Sequence, residues 1–228
     1  MKKLINLFNE HDGKVIHKWI HYLEIYERYF EKFVGTPVKI LEIGVENGGS
    51  LQLWKKYFGD KCEIIGIDVN EKVIFEEPQI KIEIGSQSDL DFLTHINDKY
   101  GEFDIIIDDG SHMQLDVLTT FSFLYSKLKR GGVYCVEDTH SAYLRTYSGG
   151  ITSPFNFISI SSRLVHDTNV EFIQEPYTPT LNDLKSIGFY NSMVVFEKTN
   201  REKIYSTYRG KNHNTDNIEF TPEKIKKL

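Results

Sequence analysis

Cysteine is scarce: the chain has two in 228 residues. Cys62 and Cys135 both sit in apolar strand-like runs, so buried thiols in a reducing compartment are expected and a disulfide framework is excluded. Long apolar runs are missing as well. No stretch approaches the roughly 20 residues of a membrane helix. The opening "MKKLINLFNEHDG" has an apolar patch too short for a signal peptide, and Glu10 and Asp12 follow at once. A cytoplasmic protein without a membrane span is expected. Positive charge is in deficit, with 27 Lys and Arg against 33 Asp and Glu, a net charge of −6. That argues against a protein that grips a phosphate backbone, so no nucleic-acid partner is expected. The dinucleotide spacing G-x-G-x-x-G, the zinc motif H-E-x-x-H and any Cys₂His₂ spacing are also absent.

Aromatics are plentiful: 13 Tyr and 15 Phe, within 40% hydrophobic residues, can furnish a core. The length suits one domain with a small appendage. Helical spacing of Ile16, Trp19, Ile20, Leu23, Phe30 and Phe33 predicts an amphipathic helix over 15–33, ended by Gly35 and Pro37. Short apolar runs then alternate with helical patterns. Strands are predicted at 38–45, 62–69, 80–85, 103–109 and 132–138, and helices at 50–58, 90–100 and 113–128. Such alternation means βαβ units around a parallel sheet covered on both faces. "LKSIGFYNSMVVFEKT" (184–199) reads as a hairpin closing the sheet edge, and 145–157 as a mobile loop leading into a helix over about 155–166. The expected organisation is an N-terminal helical extension (1–36), the α/β domain (37–199) and a polar tail (200–228).

Three places carry chemistry. "LEIGVENGGS" (41–50) joins the first strand to a helix. Gly44, Gly48 and Gly49 permit a tight turn and a close ligand approach, with Glu42 before them and Ser50 behind. Asp68 ends the second strand, where an acidic residue accepts hydrogen bonds from a ribose diol or caps the next helix. In "GSQSD" (85–89), Ser86, Gln87 and Asp89 could read an adenine edge, or Ser88 and Asp89 could cap the helix at Leu90. The third place is acidic. Asp108 and Asp109 end the fourth strand, and Glu137 and Asp138 end the fifth. If the two strands are near neighbours, Asp109, Glu137 and Asp138 converge. Three carboxylates together repel, and a hard divalent cation such as Mg²⁺ or Mn²⁺ resolves that. His112 follows Gly110 and Ser111, and a histidine there is of the residue type suited to take a proton from a substrate hydroxyl. His140 is a second candidate base; Tyr143 and Arg145 could contact an acceptor, Arg145 through a phosphate or carboxylate.

The stretches "ILEIGVENGGSLQLWKKYFG", "IIGIDV", "FDIIIDDGSH" and "GGVYCVEDTHSAY" resemble the class I S-adenosylmethionine-dependent methyltransferases. Within that class they resemble the metal-dependent sugar O-methyltransferases of the macrocin and mycinamicin type and the cephalosporin hydroxylase-like family. "HKWIHYLEIYERYF" and "FYNSMVVFEK" extend the likeness over about 11–200. The resemblance implies a Rossmann-like, seven-stranded, mostly parallel sheet with an antiparallel last strand. It implies S-adenosylmethionine over Gly44 to Gly48 with its ribose on Asp68, and Glu42, Ser50, Ser86, Gln87 and Asp108 are taken with them as cofactor-binding candidates. It implies Mg²⁺ on Asp109, Glu137 and Asp138 and His112 as general base; Asp109 is counted with His112 among the catalytic candidates, and His140, Tyr143 and Arg145 remain the acceptor candidates read from the residues themselves. The expected reaction is O-methylation of a sugar or sugar-like hydroxyl on a small-molecule or carbohydrate acceptor, by a chain that is a candidate homo-oligomer. The alternatives are a metal-dependent hydrolase, a nicotinamide oxidoreductase and a non-catalytic nucleotide-binding protein.

Overall fold

Successive residues of a strand face opposite sides of a sheet. In β1 (Lys39–Ile43), Ile40 packs on one side and Leu41 and Ile43 on the other, all buried. A strand apolar on both faces needs a layer over each, and the structure supplies both. It is a computed structural model that describes residues 3–75, 77–200 and 204–207. The remaining strands are β2 (Glu63–Asp68), β3 (Ile80–Ile84), β4 (Phe103–Asp108), β5 (Leu128–Val136), β6 (Leu184–Tyr190) and β7 (Met193–Lys198). The helices are α1 (Leu4–Asn9), α2 (Ile20–Phe30), α3 (Gly49–Phe58), α4 (Leu90–Tyr100), α5 (Gln114–Leu124) and α6 (Phe157–Arg163).

The seven strands run in the order β3-β2-β1-β4-β5-β7-β6. β1 to β5 are parallel, and β7 is antiparallel to both β5 and β6. This is the expected Rossmann-like class I methyltransferase architecture. The hairpin does close the sheet, with β6 at the edge and β7 inserted inside it. Two apolar layers flank the sheet. Tyr22, Tyr26, Phe30, Trp54 and Phe58 of α2 and α3 fill one. Leu93, Ile96, Phe121, Leu124 and Phe157 of α4, α5 and α6 fill the other. α1 and α2 therefore share the core of the sheet. Chain order reverses between β1 and β4, which opens a crevice beyond their carboxyl ends.

Several boundaries differ from the sequence expectation. The helix expected over 15–33 begins at Ile20, as α2, five residues later than its spacing suggests. Residues 13–19 run instead as an extended strap, with Val15 and Trp19 exposed. Lys14 N–H donates to Gln52 Oε1 at 2.8 Å, and Lys18 reaches into the sheet end, so tertiary bonds replace the helical ones. α5 stops at Leu124, passing through a 3₁₀ turn into β5, which starts at Leu128. The segment expected to be mobile is tied down: Asn156 Nδ2 donates to Gly150 O at 2.8 Å and Ser153 O at 3.0 Å, and Gly150 N–H to Ala142 O at 2.8 Å. Both cysteines are buried free thiols. Among the described residues no helix is long and apolar enough to cross a membrane. The predicted polar tail (200–228) falls almost wholly outside the described residues.

Candidate active site

The turn after β1 is pressed against the end of β4. Gly44 has φ +90°, and a Cβ there would run into the Asp109 carbonyl, so both its conformation and its contact require glycine. Gly48, at φ +83°, ends the turn and starts α3. Asp68 locks the turn from the neighbouring strand. Its Oδ2 accepts the N–H groups of Val45 at 2.9 Å and Glu46 at 3.2 Å, and its Oδ1 accepts that of Asn70 at 2.9 Å. Gly44 and Asp68 line two adjoining cavities, of about 540 Å³ and about 250 Å³. Ser86 and Gln87 line the smaller one beside Val69 and Ser111. Gln87 Oε1 accepts the Ser111 N–H at 2.7 Å, tying the ends of β3 and β4 together. Asp89 is the cap of α4, accepting from Asp91 N–H at 3.0 Å and Phe92 N–H at 3.1 Å.

Strand alternation sorts the acidic residues. Ile40, Ile105, Ile107, Val133 and Cys135 face the α2–α3 layer. Two residues on from these, Glu42, Asp109 and Glu137 fall on that same side of three adjacent strands. Asp108 points the other way, buried, with Oδ1 accepting from Gln87 Nε2 at 3.1 Å. The N-terminal strap and α2 supply the donors. Lys18 Nζ bonds Asp109 Oδ2 and, at 2.6 Å, Glu137 Oε1; Tyr26 hydroxyl also donates to Glu137 Oε1. Asp138 Oδ1 accepts from Trp19 Nε1 at 3.1 Å and Tyr22 hydroxyl at 2.8 Å. Each of the three carboxylates thus has one oxygen held by the protein. The opposite oxygens of Asp109 and Asp138 lie 3.8 and 3.6 Å from His112 Nε2, and all three residues line the larger cavity.

His112 and Asp138 have φ of +58° and +49°, a region that non-glycine residues occupy only when neighbours hold them there. Gln114 Nε2 donates to His112 O at 3.2 Å, and the Asp138 N–H donates to Tyr22 hydroxyl at 3.2 Å. Charge is equally constrained. Burial, aided by Asp109, pushes Glu137 up to about 8 although Lys18 and Tyr26 oppose it. Burial would lower the Lys18 ammonium, but Asp109, Glu137 and Glu42 outweigh it and hold its pKa well above the usual lysine value. Burial, aided by the charges of Asp109 and Asp116, carries Asp108 to about 7 against the bonds from Gln87 and the Gly110 N–H. Carboxylate oxygens from Asp109 and Asp138 and a ring nitrogen of His112 lie within 4.8 Å of one another. A mainly oxygen donor set, charged and pre-positioned by second partners, fits a hard divalent cation.

The remaining predicted site residues lie elsewhere. Glu42 is fully buried beneath the turn, its Oε2 accepting from Trp54 Nε1 at 2.8 Å, and it lines neither cavity. Ser50 is buried beside Glu42, and Asp108 lies under Gln87, so neither lines a cavity. His140 is exposed and bonds Ser192 Oγ at 2.5 Å; Tyr143 and Arg145 are exposed outside both cavities. Sequence reasoning missed Lys18 and Tyr26. Lys18 lies 91 residues from Asp109, and no local pattern marks a lysine that closes on a distant strand end.

No protein-family model matches the chain. It is 33% identical over 194 residues to the 8-demethyl-8-(2-methoxy-alpha-L-rhamnosyl)-tetracenomycin-C 3'-O-methyltransferase of Streptomyces olivaceus, covering 79% of this chain and 50% of that one. It is 39% identical over 131 residues to the mycinamicin VI 2''-O-methyltransferase of Micromonospora griseorubida, covering 54% of this chain and 33% of that one. Among solved structures it is similar to the MycE methyltransferase of the mycinamycin biosynthetic pathway, in complex with Mg, SAH and mycinamycin VI. There the TM-score is 0.77 at 28% identity, over 87% of this chain and 54% of that one. The chain spans about half the length of the curated relatives it matches, or less.

Proposed function

We propose that this chain, a homologue of sugar O-methyltransferases built on the class I methyltransferase fold, is a Mg²⁺-dependent enzyme that methylates a hydroxyl of a sugar or sugar-like acceptor from S-adenosylmethionine. One observation carries the reading. Asp109, Glu137 and Asp138 each have one oxygen fixed by the N-terminal segment, and they line a cavity beside His112 that also reaches the glycine turn. The turn at Gly44 to Gly48 offers backbone close to the donor. Asp68 keeps lone pairs for a ribose diol after its bonds to the turn. Ser86 and Gln87 border the smaller cavity, which suits the adenine.

The metal would be held by Asp109, Glu137 and Asp138. When bound, its charge lowers the pKa of an acceptor hydroxyl. His112 takes the hydroxyl proton on Nε2, which Asp109 and Asp138 already face and whose imidazolium they stabilise. The acceptor oxygen then bonds to the methyl carbon as the carbon–sulfur bond breaks, leaving S-adenosylhomocysteine. Holding both reactants in line is the larger part of the rate enhancement. The two buried free thiols suit a cytoplasmic enzyme.

Calorimetry tests this directly. S-adenosylmethionine should bind with Mg²⁺ and with EDTA, and a separate Mg²⁺ heat should vanish in Asp109→Asn. His112→Ala should keep donor binding and lose methyl transfer by about 100-fold or more. Absence of donor binding in both conditions would overturn the reading. The hydrolase alternative needs no donor, so Asp68→Ala would leave its activity intact.

A further inference from the structure

The acidic cluster is two groups that share one residue. In the outer group Asp109, His112 and Asp138 place ligand atoms within 4.8 Å of one another; in the inner group Glu42, Asp109 and Glu137 do. The outer group lines the larger cavity. The inner group lies deeper, and its centre is taken by a side chain of the protein. Lys18 is 4% exposed, and its Nζ bonds Asp109 and Glu137 and stands 3.6 Å from Glu42 Oε1. That Glu42 oxygen is buried without a hydrogen-bond donor, and the Lys18 ammonium is the cation beside it.

We propose that Lys18 occupies the place of a second metal ion, and that it thereby limits the cluster to one divalent cation, on the cavity side, where Asp109, Glu137 and Asp138 would hold it and His112 stays free as the base. A carboxylate that offers one oxygen to each of two cations is the bridging element of two-metal sites. Asp109 has that arrangement, with an ammonium in one half. The ammonium is covalently tethered and cannot exchange. Its strap is fixed on both sides, at Lys14 by Gln52 and His11, and at Trp19 by Asp138. A fixed inner charge also sets the orientation of Asp109 and Glu137 before any ion arrives, so Lys18 is a positioning residue for the outer site.

The inference rests on the proposed metal site, and its test separates the two. Mn²⁺ would be titrated, without methyl donor or acceptor, and counted from the free-ion electron paramagnetic resonance signal. One ion per chain is expected in the native protein and two in Lys18→Ala, returning to one in Lys18→Ala with Glu42→Gln. A folded Lys18→Ala chain, verified by circular dichroism, with the native count would overturn the proposal. No ion in the native chain and one in Lys18→Ala would remove the native metal site while supporting Lys18 as the resident cation. The native chain gives a second reading that needs no variant. Lys18 should resist reductive methylation by formaldehyde and borohydride equally with and without Mn²⁺, as read by mass spectrometry. Labelling of Lys18 on addition of Mn²⁺ would show that lysine and ion compete for one place, and would overturn the proposal.

Discussion

Asp108 and Asp109 are adjacent in the chain and end in different environments. Strand alternation sends Asp109 to the cavity and Asp108 under Gln87, where its Oδ2 is buried without a partner. The cost of ionising Asp108 there is visible in a pKa near 7, against 3.8 for the free group. The folded state therefore holds the proton more tightly than the unfolded one. Its stabilising contribution is complete below about pH 4 and is lost as pH rises through about 7. At roughly 1.4 kcal/mol per pH unit the loss is about 4 kcal/mol at most. Urea unfolding in EDTA at a series of pH values should show this slope in the native protein and a flatter profile in Asp108→Asn. Gly44 makes a second residue-scale prediction. In Gly44→Ala the Cβ meets the Asp109 carbonyl at a positive φ, so β1 and β4 must separate at their carboxyl ends. A loss of about 1–3 kcal/mol is expected from the backbone strain, together with weaker S-adenosylmethionine binding by calorimetry.

At the scale of elements, the decisive feature is a strap and a helix that share the core and also equip the site. Tyr22, Leu23, Tyr26 and Phe30 bury one face of α2, while the hydroxyls of Tyr22 and Tyr26 reach past it to Asp138 and Glu137. Tyr26→Phe keeps the ring packing and removes one donor from a buried carboxylate. It should cost about 1–3 kcal/mol by urea denaturation, and it should weaken Mn²⁺ binding by about 10- to 100-fold. The helical spacing of Ile16 and Trp19 suggested that α2 starts earlier. It does not, because the extended strap carries Lys18 to three carboxylate partners, Glu42, Asp109 and Glu137.

At the scale of the whole molecule, the central strands β1, β4 and β5 are buried on both faces and paired on both sides, whereas β3 and β6 are edges. Native-state hydrogen exchange should be slowest in β1, β4 and β5 and faster in β3 and β6. Faster exchange in the centre than at the edges would mean that the two helical layers do not clamp the sheet. The same order places the ends of β1, β4 and β5 side by side, so that residues from positions 42, 109 and 137 meet.

Much of this was legible in one dimension. Continuous apolar runs alternating with helical spacing determined a covered parallel sheet, since no other arrangement buries both faces of such strands. The glycine turn, Asp68 and the acidic strand ends with His112 were legible because a short motif at a strand end carries its own geometry. What tertiary structure alone decided was which acidic residues share a face and what neutralises them. That needs the strand order, which puts β4 between β1 and β5, and the path of residues 13–19, which brings Lys18 to Asp109 and Glu137. Local periodicity cannot encode a contact across 91 residues of chain. The attraction between a buried ammonium and three carboxylates exists only after the sheet has gathered them.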